Sequence, residues 1–216
     1  GAPTEQFGGD PADAISRLKA TLPIYSDLKH ENLIELIEAK EIGDGFAMVF
    51  KWADSDCMGR MYPAAHRRFM QLPINDRLAV FSDILSFLEC VASRKYVAID
   101  FYDGSIMYDF ANGKTTICDI DLFHKQPCVN DMGRMWGSSR FQSPEEYQLG
   151  ADIDEITNVY TLGATAFALF GEYNRTREKW QLSDKLFEIA TRAVSDDRTK
   201  RQQSIRQFTA EWEAAQ

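Results

Sequence analysis

The stretch from Lys95 to Lys125, KYVAIDFYDGSIMYDFANGKTTICDIDLFHK, carries the residues best suited to chemistry. Asp100 stands in a loop before a strand-like run, Ser105 to Phe110. Asn112-Gly113 follows, then a second strand-like run, Thr115 to Ile120, that ends among Asp119 and Asp121. Asn-Gly between two such runs predicts a hairpin with a type I′ turn, because both central positions of that turn need positive φ. A hairpin returns the end of its second strand to the start of its first, so carboxylates from two segments would meet. One carboxylate to orient a hydroxyl, with others to hold magnesium, is the equipment of phosphoryl transfer.

The rest of the chain must position that hairpin. Its 216 residues suffice for one large domain or two small ones. A net charge of −9 argues against a nucleic-acid partner. No run approaches the roughly 18 apolar residues of a membrane span, so no membrane partner is expected. Cys57, Cys90, Cys118 and Cys128 lie far apart without metal-like pairing, and they read as reduced thiols of a cytoplasmic protein without a signal peptide. His30, His66 and His124 are scattered and read as surface or packing residues.

Residues 1 to 9 read as a flexible lead. Asp10-Pro11 starts a helix with Ile15, Leu18 and Leu22 on one face, limited by Pro23. Two strands joined by Gly43-Asp44-Gly45 follow, then an irregular connector with a short helix over 64–70. Leu78, Phe81, Leu85, Leu88 and Ala92 predict a long amphipathic helix over 75–93. After the hairpin, residues 122–150 read as a long ordered loop. A helix over 156–170, apolar all round, is predicted to be buried and to end at Gly171. Ser183 and Ser204 start two more, the last with Ile205, Phe208 and Trp212 inward. Strands early and helices late indicate an α+β chain of two unequal lobes.

This order, with its short motifs, resembles the eukaryotic-type protein kinase fold from about residue 10 to 216. Lys29 to Leu33, KHENL, resembles the loop after the kinase C-helix, and Ala47 to Ala53, AMVFKWA, the strand entering the hinge. The resemblance implies a small strand-containing N-terminal lobe (1–53) and a larger, mainly helical C-terminal lobe (54–216). It makes Phe50 the gatekeeper, with Lys51, Ala53 and Asp56 around the nucleotide. Ala98 to Ser105, AIDFYDGS, takes the place of the catalytic loop, so Asp100 would orient a substrate hydroxyl. Ser105 stands where an asparagine binds nucleotide and metal. Asp119-Ile120-Asp121 stands for the D-F-G element, giving Asp119 and Asp121 as magnesium ligands. Ser143-Pro144-Glu145 resembles the end of an activation segment, whose glutamate implies a buried ion pair with Arg201. Asn158 replaces the usual aspartate of the central helix and keeps a hydrogen bond without the charge.

Several departures from the kinase pattern bear on activity. No G-x-G-x-x-G loop and no V-A-I-K lysine is present, and Gly8-Gly9 is too short to be that loop. Thr21 stands near the C-helix glutamate position, so the upper lobe is reduced or the chain is part of a longer protein. Ile99 replaces the arginine that pairs with a phosphorylated activation loop, which leaves Ser138 and Ser139 without that partner. Tyr102 replaces a lysine near the transferred phosphate. The resemblance thus implies a weak ATP- and magnesium-dependent phosphotransferase of the serine/threonine protein kinase class, or a catalytically inactive pseudokinase that binds a protein partner. A small-molecule kinase akin to aminoglycoside phosphotransferases is a third possibility, which the Ser143-Pro144-Glu145 segment disfavours.

Overall fold

A computed structural model describes residues 10–216; the expectations for residues 1–9 and for Gly8-Gly9 fall outside them. Helix α1 (Pro11–Ala20) begins where Asp10 accepts the Ala12 N–H at 2.9 Å, with Pro11 in the first turn. It stops before Pro23, which instead opens a separate helix, α2 (Leu22–Asp27). Strands β1 (Leu36–Ile42) and β2 (Gly45–Phe50) pair antiparallel across the two-residue turn Gly43-Asp44, with Gly43 at φ +54°. The Phe46, Met48 and Phe50 face of β2 meets the two helices: Thr21 Oγ1 lies 3.4 Å from Met48 Sδ, and the Phe50 and Tyr25 rings sit 5.0 Å apart.

Beyond residue 53, β3 (Asp56–Cys57) leads through α3 (Pro63–Met70) to α4 (Ile74–Ser93). The predicted stripe of α4 is buried except Leu78, and Val80, Ile84, Phe87 and Val91 widen it. Arg77 is also buried; its guanidinium donates to the Leu169 carbonyl and to Gln181 Oε1, both at 2.7 Å. That carbonyl belongs to the last turn of α5 (Glu155–Phe170), where unpaired carbonyls favour a cation. Helix α5 is capped by Asp154 and buried from Thr157 to Phe170. A Cβ on Gly163 would come 2.7 Å from that of Ala193, so the glycine lets α5 lie close against α6 (Asp184–Ala193). Ser183 caps α6, and Ser204 caps α7 (Ile205–Glu213), whose Ile205, Phe208 and Trp212 point inward as expected. One contiguous core joins Ile24, Leu28 and Leu33 to helices α4 through α7.

Short antiparallel strands complete the α+β fold. β4 (Tyr96–Val97) follows α4, then β5 (Ile106–Asp109) and β6 (Lys114–Ile117) form the predicted hairpin, which β3 extends to three strands in the order β3-β5-β6. The corner differs from the expectation. Asp109 pairs with Lys114, so the loop has four residues, and only Gly113 within it has positive φ. Asp109 Oδ1 accepts the Ala111 and Asn112 N–H groups and holds a wider turn than type I′. The hairpin strands are also shorter than predicted: Ser105 lies in a 3₁₀ turn (Asp103–Ser105), and β6 stops before Asp119. Residues 122–150 are no uninterrupted loop. β7 (His124–Lys125) pairs with β4, and β8 (Cys128–Val129) with β9 (Asp152–Ile153). All four cysteines are free thiols, and no described helix is long and apolar enough to cross a membrane.

Two polar contacts fix this body. Asn158 Oδ1 accepts the Ala98 N–H at 2.8 Å while its Nδ2 donates to the Tyr96 carbonyl at 3.2 Å. Arg201 meets Glu145 with two parallel bonds of 2.7 and 3.0 Å, and both side chains are almost wholly out of water. Burial alone would raise the Glu145 carboxyl, but the bonds and charge of Arg201 outweigh it and hold the group below its ordinary value. Arg198 adds a longer contact at 3.4 Å. Breaking one side of such a pair strands a buried charge, which costs about 3–5 kcal/mol. Glu145→Ala and Arg201→Ala are each expected to lose that much in urea unfolding, and the double variant clearly less than the sum; additive losses would show the two groups to be uncoupled.

Candidate functional site

The hairpin and β4 set the acidic residues. Asp100 follows β4, the strand clamped by Asn158, and Asp119 follows β6. The Cys118 N–H donates to the Ser105 carbonyl at 2.9 Å, which ties the end of β6 to the 103–105 turn. Asp100 and Asp119 both sit in left-handed backbone, at φ +60° and +57°. Aspartate tolerates that region better than most residues, yet holding two there costs free energy that the surroundings must supply.

Both carboxyls are raised. Burial first, then the charge of Asp119, pushes the Asp100 carboxyl up to about 6, against a hydrogen bond from the Ser138 backbone that lowers it. Asp119 keeps an exposed edge, but the protein strips part of its hydration, and this together with the charge of Asp121 raises its carboxyl. Asp121 has a different fate: its Oδ1 accepts the Tyr25 hydroxyl at 2.8 Å, which joins α2 to the end of the hairpin. Ser105 is fully buried, and its Oγ has no hydrogen-bond partner in the protein. A hydroxyl without solvent access cannot enter a hydrated coordination shell unless the 103–105 turn shifts. Tyr102 lies beside the acidic pair, its hydroxyl pushed up by burial and then by Asp100 and Asp119.

The residues expected around a nucleotide do not all line one cavity with these. Lys51 and Ala53 line a cavity of about 660 Å³ with Tyr25, Leu36, Trp52 and Lys114, whereas Asp100 and Asp119 do not line it. Phe50 packs on Tyr25, whose hydroxyl meets Asp121, so one tyrosine bridges the two groups. Asp56 is exposed on β3, paired with Tyr108, and is not among the residues lining that cavity.

Among the described residues, no cluster of three or more His, Cys, Asp or Glu side chains is disposed to hold a metal. Magnesium does not need one: it binds through one or two carboxylates together with substrate phosphates and water. Asp119, with an exposed edge, and the second oxygen of Asp121 fit that donor requirement. No protein-family model matches the chain, and no curated protein matches it.

Sequence reasoning missed Tyr25, because a tyrosine on the inward face of a helix reads as core. It also missed Asp103, a buried carboxylate bonded by Arg140 and by the Tyr173 hydroxyl. Nothing in AIDFYDGS marks the second aspartate as more buried than the first.

The raised carboxyl of Asp100 has a signed consequence. Between the ordinary value of 3.8 and about 6 the folded state binds more protons than the unfolded one, so stability falls as pH rises through that window and stays lower above it. Glu146, pushed up to about 7 by burial against its bonds from Ser143, acts in the same direction. Asp100→Asn removes only the first contribution. It is expected to stabilise the protein at pH 7.5 by about 1 kcal/mol, discounted for partial solvent access, and to be neutral at pH 4. An equal effect at both pH values would show that the Asp100 carboxyl is not raised in the folded state.

Proposed function

We propose that this chain is a phosphotransferase of the serine/threonine protein kinase class that acts on a protein hydroxyl with ATP and magnesium. The observation that carries the reading is the electrostatic pairing of Asp100 with Asp119, both in left-handed backbone at the two ends of one hairpin. Asp100, titrating near 6, is mostly ionised at neutral pH and basic enough to accept a hydroxyl proton. The Ser138 backbone favours the ionised form. Asp119, with the free oxygen of Asp121, would hold magnesium, which when bound neutralises charge on the phosphates. The segment Phe50–Ala53, with Asp56 beyond it, would meet the base and ribose.

The expected rate is low. None of the ion pairs among the described residues reaches Asp100, Asp119 or Asp121, so no lysine or arginine is held there to stabilise a transferring phosphoryl group. The Tyr25–Asp121 bond and the burial of Ser105 favour a second reading, a pseudokinase that keeps the fold for binding a protein partner.

Magnesium-ATP at about ten times its dissociation constant should stabilise the chain by about 1.4 kcal/mol, a rise of roughly 3–5 °C in Tm. Asp119→Asn should abolish the rise. No shift for the unsubstituted chain at millimolar nucleotide would overturn the nucleotide reading. A shift without transfer of labelled phosphate to protein or aminoglycoside acceptors would leave the pseudokinase.

A further inference from the structure

We propose that a groove between α3 and the turn at Glu172-Tyr173 binds a phosphate monoester carried on a polypeptide. The groove has a volume of about 440 Å³, and its lining includes Arg60, His66, Arg67, Glu172, Tyr173 and Gln181. This inference does not rest on the nucleotide reading.

Tyr173, which lines the groove, belongs to a closed polar network. Buried Asp103 accepts two bonds from Arg140, both 3.1 Å, and one from the Tyr173 hydroxyl at 2.7 Å. The Arg60 backbone N–H reaches the same carboxylate at 3.3 Å. Glu172 and Tyr173 are consecutive left-handed residues, at φ +50° and +65°. Two such residues in a row are strained, and the strain is kept where it turns Tyr173 onto Asp103. The network is internally satisfied, so it has no charge left to offer a ligand.

The rim differs. Neither Arg60 nor Arg67 has a carboxylate within ion-pair distance among the described residues. The one acidic side chain lining the groove, Glu172, faces Lys179 at 3.7 Å. The Arg60 guanidinium rests 5.1 Å from the Tyr173 ring centroid, which limits its freedom. His66 Nδ1 lies 3.0 Å from the Met58 carbonyl, which can only accept, so that nitrogen carries hydrogen and Nε2 stays free. Gln181 has its oxygen engaged by Arg77, leaving its amide N–H groups as donors.

Two guanidiniums without ion-pair partners, in a chain of net charge −9, form a local cationic site that the overall charge does not explain. At physiological salt that wider field is screened within about 8 Å, so the rim cations govern what binds. A phosphate monoester, with a charge near −2 and three acceptor oxygens, matches two forked donors better than a single carboxylate does.

Calorimetric titration of the full chain, without nucleotide or magnesium, tests this with a phosphoserine peptide, its unphosphorylated form, its aspartate form and inorganic phosphate. The phosphopeptide is expected to bind, with Arg60→Ala and Arg67→Ala each weakening it about tenfold. Arg68→Ala should leave it unchanged, because that side chain stacks on Phe110 instead. Inorganic phosphate that binds as tightly, and is lost in the same two variants, would also support the site and name the free anion as its source. Binding indifferent to Arg60 and Arg67, or equal for the phosphorylated, aspartate and unphosphorylated peptides, would overturn it. Both arginines are exposed, so unchanged melting temperatures separate lost binding from lost folding.

Discussion

The ion pair between Glu145 and Arg201 is the constraint on which the other features depend. Two charges almost without water can persist only together, so the segment carrying Glu145 cannot leave the helical body without a large loss. That segment also carries Ser138, whose backbone lowers the Asp100 carboxyl, and Arg140, which neutralises Asp103. A contact far along the chain from the carboxylates therefore sets the shape of the loop above them. The same glutamate accepts Thr157 Oγ1 at the start of α5, so the segment and the central helix share one anchor.

The acidic cluster is built against its own electrostatics. Burial and neighbouring charge make both Asp100 and Asp119 harder to ionise, with Asp119 acting on Asp100 and Asp121 on Asp119. Purely structural aspartates usually lie beside cations or helix starts, as Asp154 does at α5 and Asp197 at its own turn. Tyr25 donates to Asp121, whose charge in turn acts on Asp119.

How much of this was legible in the sequence followed from the range of the forces involved. The helices were readable because a cap, an apolar spacing and a stop act within a few residues; Asp10-Pro11, Ser183 and Ser204 all start helices where expected. The hairpin was readable but its corner was not, because Asp109 reaches two backbone N–H groups ahead of it and Asn112-Gly113 alone does not reveal this. Strands β7, β8 and β9 have two residues each, too few for a period, and exist only because distant partners supply their bonds. The Glu145–Arg201 pair was legible through motif resemblance, whereas the Tyr25–Asp121 and Asp103–Tyr173 contacts join residues 96 and 70 positions apart with no local mark.

Asn158 has a consequence for how firmly the acidic loop is seated. A carboxylate in its place could take the Ala98 N–H but would repel the Tyr96 carbonyl, whereas the amide satisfies both. Because it is neutral, its grip does not slacken with acid or added electrolyte. Sliding β4 by one residue would forfeit both bonds at once. The backbone leading to Asp100 is thus indexed like a notched ruler, and the carboxylate can change its protonation without moving its own foundation.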